Sequence, residues 1–310
     1  MPLITRAARI AGMDPELEAF VPLLPHVDLN DPVAARRAFA AAAATAPVPE
    51  TTDLAIEDRT VPADPDVPVR IYRQHDARGA IIWLHGGGWV MGDLDTEHPW
   101  AIRLALGSNA VVISVGCRLA PEDPFPAALD DAYAVLRWAA ANAAELGLDP
   151  ERIAVGGHSS GGNLAAAVAL RARDEQGPPI RFQLLNQPAL DDRQQTWSAR
   201  NFTDTPWANR EMIAAAWRNY LGAEPAAPYA APARAADLSG LPPAYIASAE
   251  FCPDRDEDIE YALRLLQAGV PVELHQWAGT FHGSQAILSA EVSRRQIAEL
   301  GEVLRRALAG

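Results

Sequence analysis

The chain contains no lysine; all 26 of its basic residues are arginines. A Schiff-base lysine, a pyridoxal-phosphate lysine, a phosphate-loop lysine and a Ser–Lys nucleophile pair are thereby excluded. Cysteine is almost as scarce. Cys117 and Cys252 are the only two in 310 residues, too few for a disulfide framework or a four-cysteine zinc site. That scarcity fits a reducing compartment, and a cytoplasmic location is expected. Long apolar runs are missing too. The alanine-rich stretch at 38–44 is far short of a membrane span, and the opening residues lack the apolar core of a signal peptide. Positive charge is in short supply, with 26 basic against 40 acidic residues and a net charge of −14. Such a surface repels phosphate backbones and anionic lipid, so neither nucleic acid nor membrane is an expected partner.

What is present is an ordinary globular balance. Hydrophobic residues make up 49% and charged residues 21%, enough apolar material for a large core and too much for a disordered chain. Short apolar runs at 69–73, 80–84, 110–115, 152–155, 180–185, 244–249 and 272–276 read as strands. Helical patterns lie between them at 98–106, 126–146, 161–173, 256–268 and 284–308. This alternation predicts an α/β fold with a mostly parallel sheet and helices on both faces. Residues 190–236 break the alternation and carry Trp197, Phe202, Trp207 and Trp217. This insertion and residues 1–50 are expected to form a lid over a catalytic domain spanning 51–310.

Two motifs carry chemistry. Gly157-His158-Ser159-Ser160-Gly161 follows a strand and opens a helix. A Gly-x-Ser-x-Gly at such a turn lifts the serine hydroxyl above the sheet and aims unpaired helix N–H groups at any negative charge there. His85-Gly86-Gly87-Gly88-Trp89 directly follows another strand. Its glycines let backbone N–H groups approach the oxyanion formed in acyl transfer. The spacing does not fit a dinucleotide fingerprint, and without lysine there is no phosphate loop.

With these two motifs together, the chain resembles the hormone-sensitive-lipase-like (bacterial family IV) carboxylesterases of the α/β-hydrolase superfamily. Arg118-Leu119-Ala120-Pro121-Glu122, Phe125-Pro126-Ala127-Ala128, Gly161-Gly162-Asn163-Leu164, Arg255-Asp256-Glu257 and Phe281-His282-Gly283 extend the likeness from about residue 50 to the C-terminus. The resemblance implies an acyl-enzyme mechanism with Ser159 as nucleophile. The N–H groups of Gly86, Gly87 and Ser160 would form the oxyanion hole, and His85 would anchor its loop. Chain order in this fold runs nucleophile, acid, histidine. His26, His75, His85 and His98 come too early, His158 adjoins the nucleophile, and His275 lies within a strand run. His282 is therefore the expected base.

The acid departs from the family pattern. Where the family shows Asp-Pro-Leu-Arg-Asp-Glu, this chain reads Cys252-Pro253-Asp254-Arg255-Asp256-Glu257. A neutral thiol is a poor acceptor. In an extended segment, residues 250, 252 and 254 point the same way. Asp254 is the expected acid, with Glu250, Asp256 and the absence of any acid as alternatives, and Asp256 is read as the cap of the next helix. Trp89, Phe202, Trp207 and Phe281 are expected to line the substrate pocket. Cys117 reads as packing, with no feature to lower its pKa. No zinc-ligand spacing accompanies the acids, so no metal and no cofactor is expected. The expected function is a serine esterase acting on short- to medium-chain carboxylic esters. The alternatives are a non-catalytic small-molecule-binding protein on a hydrolase scaffold and a hydrolase of an amide or lactone. The expected partner is a small ester; pairing into a homodimer stays open.

Overall fold

A computed structural model describes residues 12–309. Two N-terminal helices, α1 (Pro15–Glu18) and α2 (Pro32–Ala43), each begin at a proline capped by the preceding aspartate. Proline at the first turn forfeits an N–H that has no partner there anyway. The chain then enters the sheet: β1 (Ala55–Val61), β2 (Val67–Arg73), β3 (Ala80–Leu84), α3 (Leu94–Ser108), β4 (Val111–Val115), α4 (Ala127–Ala141), β5 (Ile153–His158), α5 (Ser160–Asp174) and β6 (Phe182–Asn186). The second half holds α6 (Trp197–Asn201), α7 (Arg210–Leu221), β7 (Ala244–Phe251), α8 (Arg255–Gln267), β8 (Val272–Phe281) and α9 (Glu291–Ala307).

The eight strands form one sheet in the order β1-β2-β4-β3-β5-β6-β7-β8. The β1–β2 and β2–β4 pairs are antiparallel and the rest are parallel. All residues of β3 and β4 are buried, as expected for strands covered on both faces. Ile82, Leu84, Ile113 and Val155 point into one core. Their neighbours Ile81, Trp83, Val112 and Ala154 point into the other. β1 has no counterpart among the expected strands. Its Ala-Ile-Glu-Asp-Arg-Thr-Val is mostly exposed and charged because it is an edge strand, for which charge is a protective feature. The single helix expected over 284–308 is a short turn at Ser284–Ala286 followed by α9, because the turn belongs to the loop that holds His282.

Register is what positions the site. Leu84 pairs with Gly157, and Gly157 with Leu185. The residues that follow, His85-Gly86-Gly87, Ser159 and Gln187, therefore emerge side by side at one sheet edge, the carboxyl ends where ligands bind in such sheets. At the far end, Phe251 pairs with Phe281 after an irregularity between Ala249 and Phe251. This places Cys252 next to His282. Arg36 ties α2 across the same edge, donating to the Val90 carbonyl at 2.7 Å and the Ala120 carbonyl at 2.9 Å, and to Glu122 at 2.6 Å.

Candidate active site

Ser159 occupies the sharp turn between β5 and α5 with φ 57 and ψ −120. A non-glycine residue there is strained, and the surroundings must hold it. They do so by close approach. A Cβ on Gly161 would lie 2.0 Å from the Leu84 carbonyl oxygen, and one on Gly157 would lie 2.4 Å from the Gly161 carbonyl. Only glycine at both positions lets α5 come down onto β3. The Ser159 N–H donates to the Asn186 carbonyl at 2.9 Å, which pins the turn to β6.

The Ser159 Oγ lies 2.9 Å from His282 Nε2. Among the described residues no other histidine reaches this hydroxyl. His275 pairs with Glu299 and His98 with Tyr72. His282 sits just past β8, and the left-handed Gly283 (φ 77) turns the chain beyond it. That turn is braced. The Gly283 N–H donates to Gln187 Oε1 at 2.9 Å, Gln187 Nε2 donates to Gln285 Oε1 at 3.1 Å, and Gln285 Nε2 reaches His158 Nδ1 at 3.0 Å. Sequence reasoning missed this network; its one signal was the position of Gln187 just past a strand that ends beside the elbow. The ring of His158 stands 5.6 Å from that of His282. Burial, with His158 adding to it, pulls the His282 imidazolium down to about 3, so the ring is neutral across the physiological range.

The far nitrogen of His282 faces sulfur. Nδ1 lies 3.2 Å from Cys252 Sγ. None of the three candidate carboxylates makes that contact. Glu250 instead accepts from the Gly279 N–H at 2.7 Å. Asp256 does not cap α8; it accepts from the Ser198 N–H at 2.8 Å and from Arg255 at 2.7 Å. Asp254 is the N-cap residue of α8 but caps nothing with its side chain. Its φ of −80 and ψ of −4 are helical, not the extended backbone expected from the sequence. A carboxylate oxygen of Asp254, Cys252 Sγ and a ring nitrogen of His282 nevertheless all lie within 4.8 Å of one another, and all three residues are buried. Burial raises the Asp254 carboxyl to about 7, and burial also pushes the Cys252 thiol well up. The hydrogen bond between Cys252 Sγ and His282 Nδ1 accounts for the approach of those two groups, and the Asp254 carboxylate stands beside them without a bond to either.

The glycine loop after β3 brings Gly86 beside the serine: a Cβ on Gly86 would meet the His158 ring at 2.7 Å and Ser159 Cβ at 3.5 Å, and Gly87 borders the same cavity as Ser159. The Gly86 and Gly87 N–H groups take no part in the backbone hydrogen bonds among the described residues. Ser160 is the first residue of α5, so its N–H has no intrahelical partner. His85 turns inward, and its Nδ1 lies 2.9 Å from the Gly86 carbonyl. It is fully buried, and that burial keeps it neutral.

A family described as alpha/beta hydrolase fold matches residues 81–286. Carboxylesterase NlhH of Mycobacterium tuberculosis is 45% identical over 242 residues, covering 74% of this chain and 76% of that one. The chain belongs to the α/β hydrolases, in their hormone-sensitive-lipase-like branch. An arylesterase of Saccharolobus solfataricus is 34% identical over 261 residues, 81% of each chain. A solved bacterial heroin esterase superposes with a TM-score of 0.93 at 43% identity, covering 96% of this chain and 99% of that one. Fold and family are thus those that the motifs implied.

In this hydrolase Ser159 and His282 open onto a cavity of about 380 Å³. Leu24, Leu29 and Phe39 wall it from the N-terminal segment, and Met212, Ile213 and Ala216 from α7. Trp89, Trp207 and Phe281 also border it. Phe202 does not: it packs edge-on against Trp197 and Phe251, with the Arg255 guanidinium over its face. Its place next to a short helix outside the cavity explains the difference. Trp217 is likewise core, 4.5 Å from the Trp89 ring. Cys117 is buried, and burial pushes its thiol up, away from reactivity. No helix of the described residues is long and apolar enough to cross a membrane.

Proposed function

We propose that this hydrolase is a serine carboxylesterase that cleaves short- to medium-chain esters through an acyl-enzyme. The observation that carries the reading is the 2.9 Å contact between Ser159 Oγ and His282 Nε2 at the floor of an apolar cavity. Ser159 Oγ attacks the ester carbonyl carbon as its proton passes to His282 Nε2. The carbonyl electrons move to oxygen, which the Gly86, Gly87 and Ser160 N–H groups receive. As the C–O bond breaks, the leaving alcohol takes the proton back from Nε2. Water then repeats the sequence on the acyl-serine, releasing the acid. His85 shapes the glycine loop and transfers no proton.

Names of relatives as carboxylesterase and arylesterase support the ester bond as the target. A cavity of about 380 Å³ under α2 and α7 supports acyl groups of modest length and a lid role for those helices. Two free, buried thiols support a cytoplasmic location. Exposed Leu263 and Leu266 on α8 and Leu274 on the edge strand β8 support pairing into a homodimer.

The test is hydrolysis of a p-nitrophenyl series from acetate upwards. Rates are expected to peak at short to medium chains. Ser159→Ala is expected to lose about four to six orders of magnitude in kcat with an unchanged thermal melt. Near-wild-type turnover in that variant would sink the assignment, and a rate rising steadily to emulsified triglycerides would indicate a lipase instead.

A further inference from the structure

A base histidine needs two services on its far side. One fixes the proton on Nδ1 so that Nε2 is free to accept; the other steadies the positive charge once Nε2 is protonated. One aspartate normally supplies both. In this chain the position in contact with Nδ1 holds Cys252, at 3.2 Å. Sulfur can accept the Nδ1 proton and so select the tautomer that Ser159 requires, but a neutral thiol brings no charge. Burial and the nearby carboxyls of Asp254, Asp258 and Glu257 disfavour a thiolate there. The charge must come from elsewhere.

Asp254 has the right place and is uncommitted. It is buried, its carboxylate caps nothing, and it borders the same cavity as Ser159 and His282. Among the described residues no hydrogen-bond donor reaches its carboxylate, unlike those of Glu250 and Asp256. One of its oxygens lies within 4.8 Å of both Cys252 Sγ and a His282 ring nitrogen. We propose that the task of one triad carboxylate is divided here between two side chains: Cys252 orients the His282 ring, and the Asp254 carboxylate supplies the negative charge that stabilises the imidazolium. This deepens the esterase reading and rests on it. Both are positioning residues that act through His282, which alone exchanges a proton with substrate.

The division has a pH signature. The groups around Asp254 are Cys252 at the end of β7, His282 after β8 with His158 behind it, and Glu257 and Asp258 on α8. Burial and mutual proximity keep Glu257 and Asp258 protonated well above the ordinary carboxylate range. His158 is neutral, held down to about 4 by burial. Burial raises Asp254 to about 7, so its charge changes near neutrality. Activity should rise as pH climbs through about 7, where Asp254 becomes charged and His282 is already neutral.

The experiment compares wild type with Asp254→Asn, Cys252→Ala and the double variant Cys252→Asp/Asp254→Asn in kcat, KM and pH profile. Asp254→Asn should lose about 10²-fold in kcat at alkaline pH with KM nearly constant, and should lose the limb near pH 7. Cys252→Ala should lose kcat at every pH yet keep that limb, because the charge remains while the ring is unfixed. Cys252→Asp should restore kcat to Asp254→Asn by rejoining both services in one group. Wild-type kcat with an unchanged profile in Asp254→Asn, or wild-type kcat in Cys252→Ala, overturns the proposal. A measurement without turnover separates this from the esterase reading. The His282 ring resonances of wild type should record a step near pH 7 that is absent in Asp254→Asn. If no ester is hydrolysed but the step is present, the esterase reading fails and the coupling stands. No step in wild type overturns the coupling, whatever the activity.

Discussion

Gln187 does more for His282 than its residue type suggests. Its side-chain oxygen takes the Gly283 N–H and its amide reaches Gln285, so one glutamine braces the turn that carries the proposed base. Replacing it with leucine leaves a buried N–H unpaired, at a cost of about 1–3 kcal/mol, and frees the ring to drift from Ser159. Gln187→Leu is expected to lower kcat by about tenfold to a hundredfold with KM little changed, because misplacement by an ångström suffices. Steady-state kinetics beside a thermal melt check this; an unchanged kcat would show that the network serves stability alone. That Ser159 and His282 would meet was legible in the sequence because the chemistry proposed for them demands a fixed local context, a glycine-flanked turn and a loop past the last strand. The acid was not. Cys252 occupies its place, and which carboxylate replaces its charge depends on distances across three chain segments.

At the level of elements, glycines set how closely α5, the helix that follows Ser159, approaches the sheet. Gly161 sits in the first turn of α5, and a methyl group there would fall 2.0 Å from the Leu84 carbonyl oxygen. That atom is backbone in the central strand and cannot move aside. Gly161→Ala is therefore expected to destabilise the fold by about 3 kcal/mol or more, as overpacking of a rigid site does, and to pull Ser159 away from Gly86. Chemical denaturation measures the first effect and ester turnover the second. A variant as stable as wild type would mean that the turn is softer than its packing implies. The parallel strands and their helices were legible because short apolar runs broken by glycine have one cheap burial, between two helical layers. β1 escaped notice because an edge strand carries charge, and α9 began later than its periodicity suggested because the His282 turn claims its first residues.

For the whole molecule, buried acids decide the pH dependence of stability. Burial raises the carboxyls of Glu97 and Asp254 to about 7, and Glu257 and Asp258 go well above their ordinary value. A carboxyl raised in the fold keeps a proton that the unfolded chain has already released, so stability falls as pH rises toward its folded value. The buried histidines work the other way, but only below their unfolded value of about 6.5. Above it they are neutral in both states and contribute nothing. The net charge of −14 adds self-repulsion in the same direction as the acids. From about pH 6.5, where the histidines stop contributing, through the folded value of about 7 for Glu97 and Asp254, the melting temperature is therefore expected to fall, and Glu257 and Asp258 extend that fall upward. Scanning calorimetry across that range checks it, and a constant or rising Tm would show that these acids ionise without penalty in the fold. The amino-acid sequence by itself determined the absent chemistries, the alternation that builds the sheet, and the two glycine motifs, since each follows from composition or local backbone need. Only the tertiary structure decided that a thiol and not a carboxylate touches His282, that Asp254 stands uncommitted beside it, and that Phe202 packs outside the cavity. Those outcomes rest on strand register and on the packing of segments distant in sequence, where differences of one or two ångströms separate contact from proximity.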